Sequence, residues 1–323
     1  RHIIPNLQEK LGIEVKFAGD CIGSLASELS KTLGTGEIIL LENVRFYQEE
    51  TQGDQDFAIK LAKLGDIYIN DAFGTAHRAH ASTTIVAQFF EDKCAGYIMG
   101  NELAYANKVL EDPNRPFTAI VGGAKISDKI MIIEKLLDKV DNLIIGGGMS
   151  YTFIKAQGGA IGKSLCEDNR KAYTLELIEK AKVKNVNLCL PLDNVIADDF
   201  SNNAKRQIVK SGEIPYNWEG LDIGPQSIYA FENIIKKSKT ILWNGPMGVF
   251  EFHNFAVGTE AIAEAVVSAT QNGSFSLIGG GDSASAINNL GFGNKVSYVS
   301  TGGGALLEYM EGKTLPGLAI LEN

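Results

Sequence analysis

The sequence has little that would tie it to a metal scaffold, a membrane or a nucleic acid. Its four cysteines (Cys21, Cys94, Cys166 and Cys189) are scattered through 323 residues with no C-x-x-C pair. That spacing supports neither a disulfide framework nor a thiolate zinc site, and it reads as small buried residues in a reducing compartment. Of four histidines, His77 and His80 have an H-x-x-H spacing, but without the carboxylate-rich context a metal site needs. No apolar run approaches the roughly 18 residues of a membrane span. Positive charge is in deficit, 30 Lys and Arg against 39 Asp and Glu, for a net charge of -9. A broad basic surface for a nucleic-acid backbone is therefore absent, and any anionic ligand must be held by a local cluster of cations.

The familiar nucleotide fingerprints are missing too. "GGAIGKS" (158–164) would need glycine at 157 to be a Walker A loop; the chain has Gln157, and the segment reads as a surface loop. "GGGMSY" places Tyr151 where the third glycine of a dinucleotide turn would fall, which disfavours an NAD-dependent dehydrogenase. Neither a Ser/His/Asp nor a Cys/His constellation, a solenoid repeat or a low-complexity segment is visible. The residues open at Arg1, and "RHIIPNLQEKLGIEVKFAGD" reads as a helix running into a strand, so the chain is expected to start inside a domain.

Glycine is abundant instead: 35 residues of 323, above the roughly 7% of average usage. Short apolar runs repeatedly end in Gly, Asn or Asp, as in "TAIVGGAK" (118–125), "NLIIGGGM" (142–149), "TILWNGPMG" (240–248), "SLIGGGD" (276–282) and "SYVSTGGG" (297–304). Amphipathic stretches separate them: Ile130, Ile133, Leu137 and Val140 share a helical face, as do Ile262, Val266 and Ala269, with Gly273 where a C-cap belongs. Apolar strands alternating with helices predict an α/β fold with parallel sheets covered on both faces, and ligands beyond the strands' carboxyl ends.

Several strand ends carry chemistry. Lys125 and Lys129 of "GGAKISDK" are four apart across a helix start, either sharing a phosphate-facing side or standing as solvated surface lysines. Asp282 follows a triple glycine, as a Mg²⁺ ligand or as a helix N-cap. "TGGGALLE" (301–308) offers N–H groups for an anion nest, and Glu251 of "WNGPMGVFE" is a candidate ribose partner. Arg45 of "LLENVRF" and Arg78 of "DAFGTAHRAH" end neighbouring strands, where their guanidinium groups suit a small acid carrying carboxylate and phosphate, or local salt bridges. His77 donates a further bond or caps the turn.

Taken together, these motifs resemble those of the phosphoglycerate kinase family. "LLENVRF", "DAFGTAHRAH", "GGAKISDKI", "GGGMSYTF", "LPLD", "WNGPMGVFE", "IGGGDSA", "STGGGALLE" and "EGKTLPG" occur in that family's order, from near residue 37 to the C-terminus. The resemblance implies two Rossmann-like three-layer domains that close on a hinge. Residues 1–97 would be a remnant of the phosphoglycerate-binding domain, 98–115 the connecting helix and hinge, 116–306 the nucleotide-binding domain, and 307–323 a tail returning to the first. It implies reversible phosphoryl transfer from 1,3-bisphosphoglycerate to ADP, giving 3-phosphoglycerate and ATP, with Mg²⁺.

By the same resemblance, Arg45, Arg78 and His77 hold the phosphoglycerate, while Lys125, Lys129, Gly302 and Gly303 act on the group in transfer. Gly123, Ala124, Gly147, Gly148, Gly220, Leu221, Pro246 and Val249 contact the nucleotide, and Glu251 its ribose. Asn244, Gly280, Gly281 and Ser283 meet its phosphates, and Asp282 the metal. The family's first strands, with a catalytic arginine, would precede Arg1, so a non-catalytic nucleotide-binding fragment is the alternative. Small-molecule partners only, a monomer and a cytoplasmic location are also implied, with an organellar form left open.

Overall fold

The computed structural model describes residues 1–322 and divides into two compact units. One comprises Arg1–Asn101 with the residues from Thr314 onward, the other Glu102–Lys313. Helix α1 (Ile4–Leu11), strand β1 (Val15–Ala18), helix α2 (Ser24–Lys31) and strand β2 (Ile38–Leu41) open the first unit. Helices α3 (Gln48–Gln52) and α4 (Gln55–Ala62) and strands β3 (Tyr68–Asn70) and β4 (Lys93–Ala95) follow. Here β1 pairs with β2 and β3 with β4, both parallel. The side chain of Asp54 caps α4 by accepting from Phe57 N–H at 2.8 Å, which leaves Phe57 and Ala58 buried beside Cys21, Ala81 and Val86.

Helix α5 (Tyr97–Leu110) leads into the second unit. Its elements are β5 (Phe117–Val121), α6 (Ile130–Leu136), β6 (Asn142–Ile145), α7 (Ser150–Ala156), β7 (Ala160–Ile161), α8 (Lys171–Val183), β8 (Asn187–Cys189) and β9 (Asp193–Ala197). They continue with β10 (Arg206–Lys210), β11 (Glu213–Ile214), β12 (Glu219–Ile223), α9 (Pro225–Ile235), β13 (Thr240–Asn244), α10 (Val257–Gln271), β14 (Phe275–Gly279), α11 (Gly281–Asn289), β15 (Tyr298–Val299) and α12 (Gly304–Met310). A last helix, α13 (Pro316–Ala319), belongs to the first unit, where Gly317 N–H donates to Ala76 O at 2.9 Å.

The α/β expectation holds. A six-stranded sheet, in the order β15-β14-β13-β5-β6-β8, has every neighbouring pair parallel. Its central strands are buried throughout, which explains their unbroken apolar runs. Trp243, Ile120, Ile241 and Ile278 meet Phe231 of α9 and Ile262 and Val266 of α10 in one core. Helix α10 ends at Gln271, and Gly273 just beyond it has φ +91°, a left-handed conformation glycine adopts freely.

Two expectations fail. The apolar run "NLCLPLD" (187–193), which by its composition reads as one further strand, is split: Pro191 and Leu192 break it, so β8 joins the large sheet while β9 pairs antiparallel with β10 and β12 in a second one. Of the cysteines, only Cys21 is buried; Cys94 is exposed, and all four are thiols. Truncating Ile262 to alanine removes fully buried methyl groups from the core. It should cost about 2–5 kcal/mol in a urea unfolding curve.

Candidate functional site

The large sheet brings the carboxyl ends of four strands level. Asn244 of β13 lies opposite Val121 of β5 and Gly279 of β14, and Val121 lies opposite Ile145 of β6. The turns beyond them interlock. Gly122 and Gly123 N–H donate to Asn244 O and Pro246 O, at 2.9 and 3.1 Å, and Gly147 N–H donates to Met247 O at 3.0 Å. A Cβ on Gly122 would stand 2.1 Å from Pro246 O, and one on Gly245 2.2 Å from Gly122 O. These glycines are required by backbone lying on backbone, and their amides are engaged within the protein. Free N–H groups sit instead at the first turn of α11, where helix geometry leaves Gly281, Asp282 and Ser283 without intrahelical partners.

Lys129 is placed by the turn before α6 and points toward these strand ends. Its Nζ donates to Asn244 Oδ1. Burial pushes its ammonium down to about 8, while Asp282 and Asp128 pull the other way. Asn244 is 2% exposed and its Nδ2 has no partner, so a buried donor faces the site unsatisfied. Gly280, at φ +86°, lets the chain pass this amide, since a Cβ there would come 2.8 Å from Nδ2. Ser283 is buried, and its Oγ accepts Gly245 N–H at 2.5 Å.

A cavity of about 510 Å³ opens beside this cluster. Ten of the sequence-derived residues line it: Gly123, Ala124, Gly147, Gly148, Gly220, Leu221, Pro246, Val249, Glu251 and Asp282. Its remaining wall includes residues that sequence reasoning missed, Tyr151, Lys163, Leu165, Phe200 and Glu219. Tyr151 explains Gly220, because a Cβ there would collide with the phenol oxygen at 2.0 Å. Lys163 comes from the would-be Walker segment and Leu165 follows it; the segment forms β7 and a pocket wall rather than a phosphate loop or a plain surface loop. The Glu219 carboxyl is raised by burial and by Asp199, and lowered by Lys163.

Lys125 does not join Lys129 on a helical face. Helix α6 starts only at Ile130, because the buried Ile126 and a Ser127 N–H bond to Glu167 Oε2 (3.0 Å) hold the preceding residues in a turn. Lys125 is exposed and lies near enough to Glu167 to lower that carboxyl's pKa. Gly302 N–H is taken by Ser300 Oγ at 3.0 Å, and Gly303 precedes α12 with φ +51°. Their loop is tied by Glu102, whose carboxylate accepts from Ser300 Oγ, Thr301 N–H and Thr301 Oγ1 at 2.6 to 2.8 Å.

The other predicted residues gather in the first unit. Arg45 sits on the 3-10 turn Val44–Phe46, and Arg78 Nε donates to His77 Nε2 at 3.1 Å. His80 is buried beside them and its pKa is lowered, first by burial and further by Arg45, Arg78 and His77, against the pull of Glu50. Glu50, 2% exposed, accepts from Ser82 N–H and Oγ and so fixes the segment after His80. Arg45 and Arg78 are exposed, free to meet a small anion.

A family model described as phosphoglycerate kinase matches residues 1–313. The chain belongs to the phosphoglycerate kinase family. It is 51% identical to "Phosphoglycerate kinase" of Porphyromonas gingivalis, covering 100% of this chain and 83% of that protein. It is also 51% identical to "Phosphoglycerate kinase, cytosolic" of Nicotiana tabacum, over 99% of this chain and 80% of that one. Among solved structures, phosphoglycerate kinase from Coxiella burnetii superimposes with a TM-score of 0.87 at 42% identity, covering 99% of this chain and 80% of that one. With phosphoglycerate kinases matching along nearly the whole chain, the non-catalytic module is the disfavoured reading.

Lys129 yields a test independent of turnover. Its folded pKa of about 8 lies below its unfolded value of 10.5. Its contribution to stability is therefore full above 10.5 and lost as pH falls through about 8. Lys129→Met should raise stability at pH 7 by about 1–2 kcal/mol, allowing for the stranded Asn244 Oδ1. The gain should shrink toward pH 10 in urea titrations.

Proposed function

We propose that this chain transfers the acyl phosphate of 1,3-bisphosphoglycerate to ADP, reversibly, giving 3-phosphoglycerate and ATP. The observation that carries the reading is half-buried Lys129 bonded to Asn244, whose Nδ2 lacks a partner, at level strand ends beside a nucleotide-sized cavity. A phosphoryl oxygen satisfies both: it accepts from Nδ2 and gives the poorly solvated Lys129 ammonium an anionic partner.

In this reading the cavity takes the nucleoside, with Leu221 and Val249 against the base and Glu251 at the ribose. The diphosphate reaches the first turn of α11, near Asn244 and Lys129. Arg45, Arg78 and His77 hold the phosphoglycerate. The attacking ADP oxygen is already anionic and the leaving group is a carboxylate, so no general base is needed. Charge on the transferring group is what the protein must stabilise, and Lys129 supplies it from a desolvated position. The interlocked glycine turns place these groups before substrate arrives, and Ser283 keeps the Gly245 turn in place.

Among the described residues, no three His, Cys, Asp or Glu side chains cluster as metal ligands. Asp282 alone, exposed at the cavity, fits Mg²⁺, which binds through one or two carboxylates and substrate phosphates. Bound there, the ion would neutralise phosphate charge. We assign the chain to the cytoplasm or an organelle interior, as a monomer acting on small molecules, in line with relatives described as cytosolic and as chloroplastic. No helix among the described residues is long and apolar enough to cross a membrane.

A coupled assay of ATP formation from ADP and 1,3-bisphosphoglycerate tests the assignment, and ADP binding without ATP would overturn it. Lys129→Ala should lower kcat by roughly 10²–10³. Arg78→Ala should raise KM for phosphoglycerate and leave KM for ADP nearly unchanged; equal effects on both would contradict the assignment of Arg78.

A further inference from the structure

Behind the cavity wall, apart from the residues given roles above, Asp222 is a buried carboxylate of 1% exposure. It forms no ion pair among the described residues, and its hydrogen-bond partners are backbone N–H groups. Oδ2 accepts from Gly258 N–H at 2.7 Å, in the first turn of α10, and Oδ1 from Ile223 N–H at 2.9 Å. Strand β12 shifts register against β9 between Gly220 and Asp222, a bulge of the kind that re-aims a side chain. A Cβ at either Gly248 or Gly258 would stand 2.3 Å from Asp222 Oδ1. Leu221 O accepts Val249 N–H at 2.8 Å. The carboxylate is thus wedged between β12, the Gly248–Val249 turn and the start of α10, and the first two line the cavity.

We propose that ionised Asp222 is a positioning residue for the nucleotide pocket, anchoring Leu221 and the Gly248–Val249 turn to the N-terminus of α10. The inference rests on the nucleotide reading of that cavity. Burying a carboxylate without a cation serves packing poorly, since an apolar residue would fill the space at lower cost. It serves alignment well: a charge-assisted acceptor at a helix N-terminus is directional and strong.

Burial pushes the Asp222 carboxyl up to about 7, and the two N–H bonds oppose that rise. Glu260 on α10 adds to it. From the other packed elements the ionisable groups are Glu219 on β12, Glu251 on the turn, the Tyr151 phenol on α7, and Asp193 on β9, which is occupied by Ser227 and Gln226 N–H. None is a cation. Because the folded value exceeds the unfolded one of 3.8, the stability contributed by this group is full below 3.8 and lost as pH rises through about 7. Pocket order runs the opposite way, strengthening as Asp222 ionises. Stability and nucleotide affinity therefore respond to pH with opposite signs.

The test uses the full chain and its Asp222→Asn variant, with KM for ADP and calorimetric Kd for ADP measured from pH 6 to 8. Ionisation of ADP itself cancels in the variant-to-wild-type ratio. That ratio should climb from about 2 at pH 6 to about tenfold at pH 8, the scale of one charge-assisted hydrogen bond. Turnover should stay within about twofold, and KM for phosphoglycerate should not move. A ratio constant with pH, or a fall in kcat matching the rise in KM, would show a merely structural residue. If Asp222→Asn does not fold, Gly258→Ala presses a methyl group on the same oxygen and should raise KM for ADP; an unchanged KM would overturn the proposal. Failure of the wild type to make ATP would count against the kinase assignment alone, and the Kd ratio would still decide the role of Asp222.

Discussion

Four parallel strands ending at one level, with turns packed backbone against backbone, are the constraint on which the site depends. Gly122 lies on Pro246 O, Gly245 on Gly122 O, and Gly147 on Gly123 N, each closer than any side chain would permit. Once β5, β6 and β13 are in register, these contacts leave little freedom for the loops above them. Lys129, Asn244 and Asp282 are therefore delivered to one place by the sheet rather than by flexible connections. The helices on either face contribute chiefly by burying Trp243, Ile120, Ile241 and Ile278, which holds the register.

The same region carries two charges that folding alone disfavours. Lys129 is held where its ammonium is depressed, and Asp222 where its carboxyl is raised. Asp222 is buried and Lys129 half-buried near the cavity, neither in a formal ion pair among the described residues. Strongly perturbed titratable groups beside one pocket are a mark of functional sites. In the proposed binding mode the cation stands at the phosphate end, while the anion stays behind the wall, engaged with backbone donors. An unpaired donor on Asn244 adds a third local cost; in the proposed binding mode a diphosphate offers a partner to Asn244 and Lys129. Stability and function pull against each other here, as they commonly do at active sites.

Much of this was legible from residue patterns. Strand ends were marked by glycine runs after β-branched segments, because parallel strands buried on both faces need continuous apolar side chains. Asp282 and Glu251 could be placed at the cavity from their position after such runs, and Val249 through the family resemblance. Lys125 could not: spacing of four suggests a shared helical face, but buried Ile126 and the Ser127–Glu167 bond delay the helix until Ile130. The far wall was also hidden. Tyr151, Phe200 and Glu219 reach the cavity through α7 and the antiparallel β9-β10-β12 sheet, whose pairing no local period announces. Gly220 carried a trace of it, since a glycine in a strand signals a close neighbour, here the Tyr151 hydroxyl.

The central claim is that the level strand ends grip a diphosphate, with the nucleoside seated in the adjoining cavity. Calorimetric titration of the chain with ADP and with adenosine tests it most directly. The account predicts that ADP binds at least about 10²-fold more tightly, as expected when charged hydrogen bonds at Lys129, Asn244 and α11 are made only by the diphosphate. Equal affinity for the two compounds would contradict it.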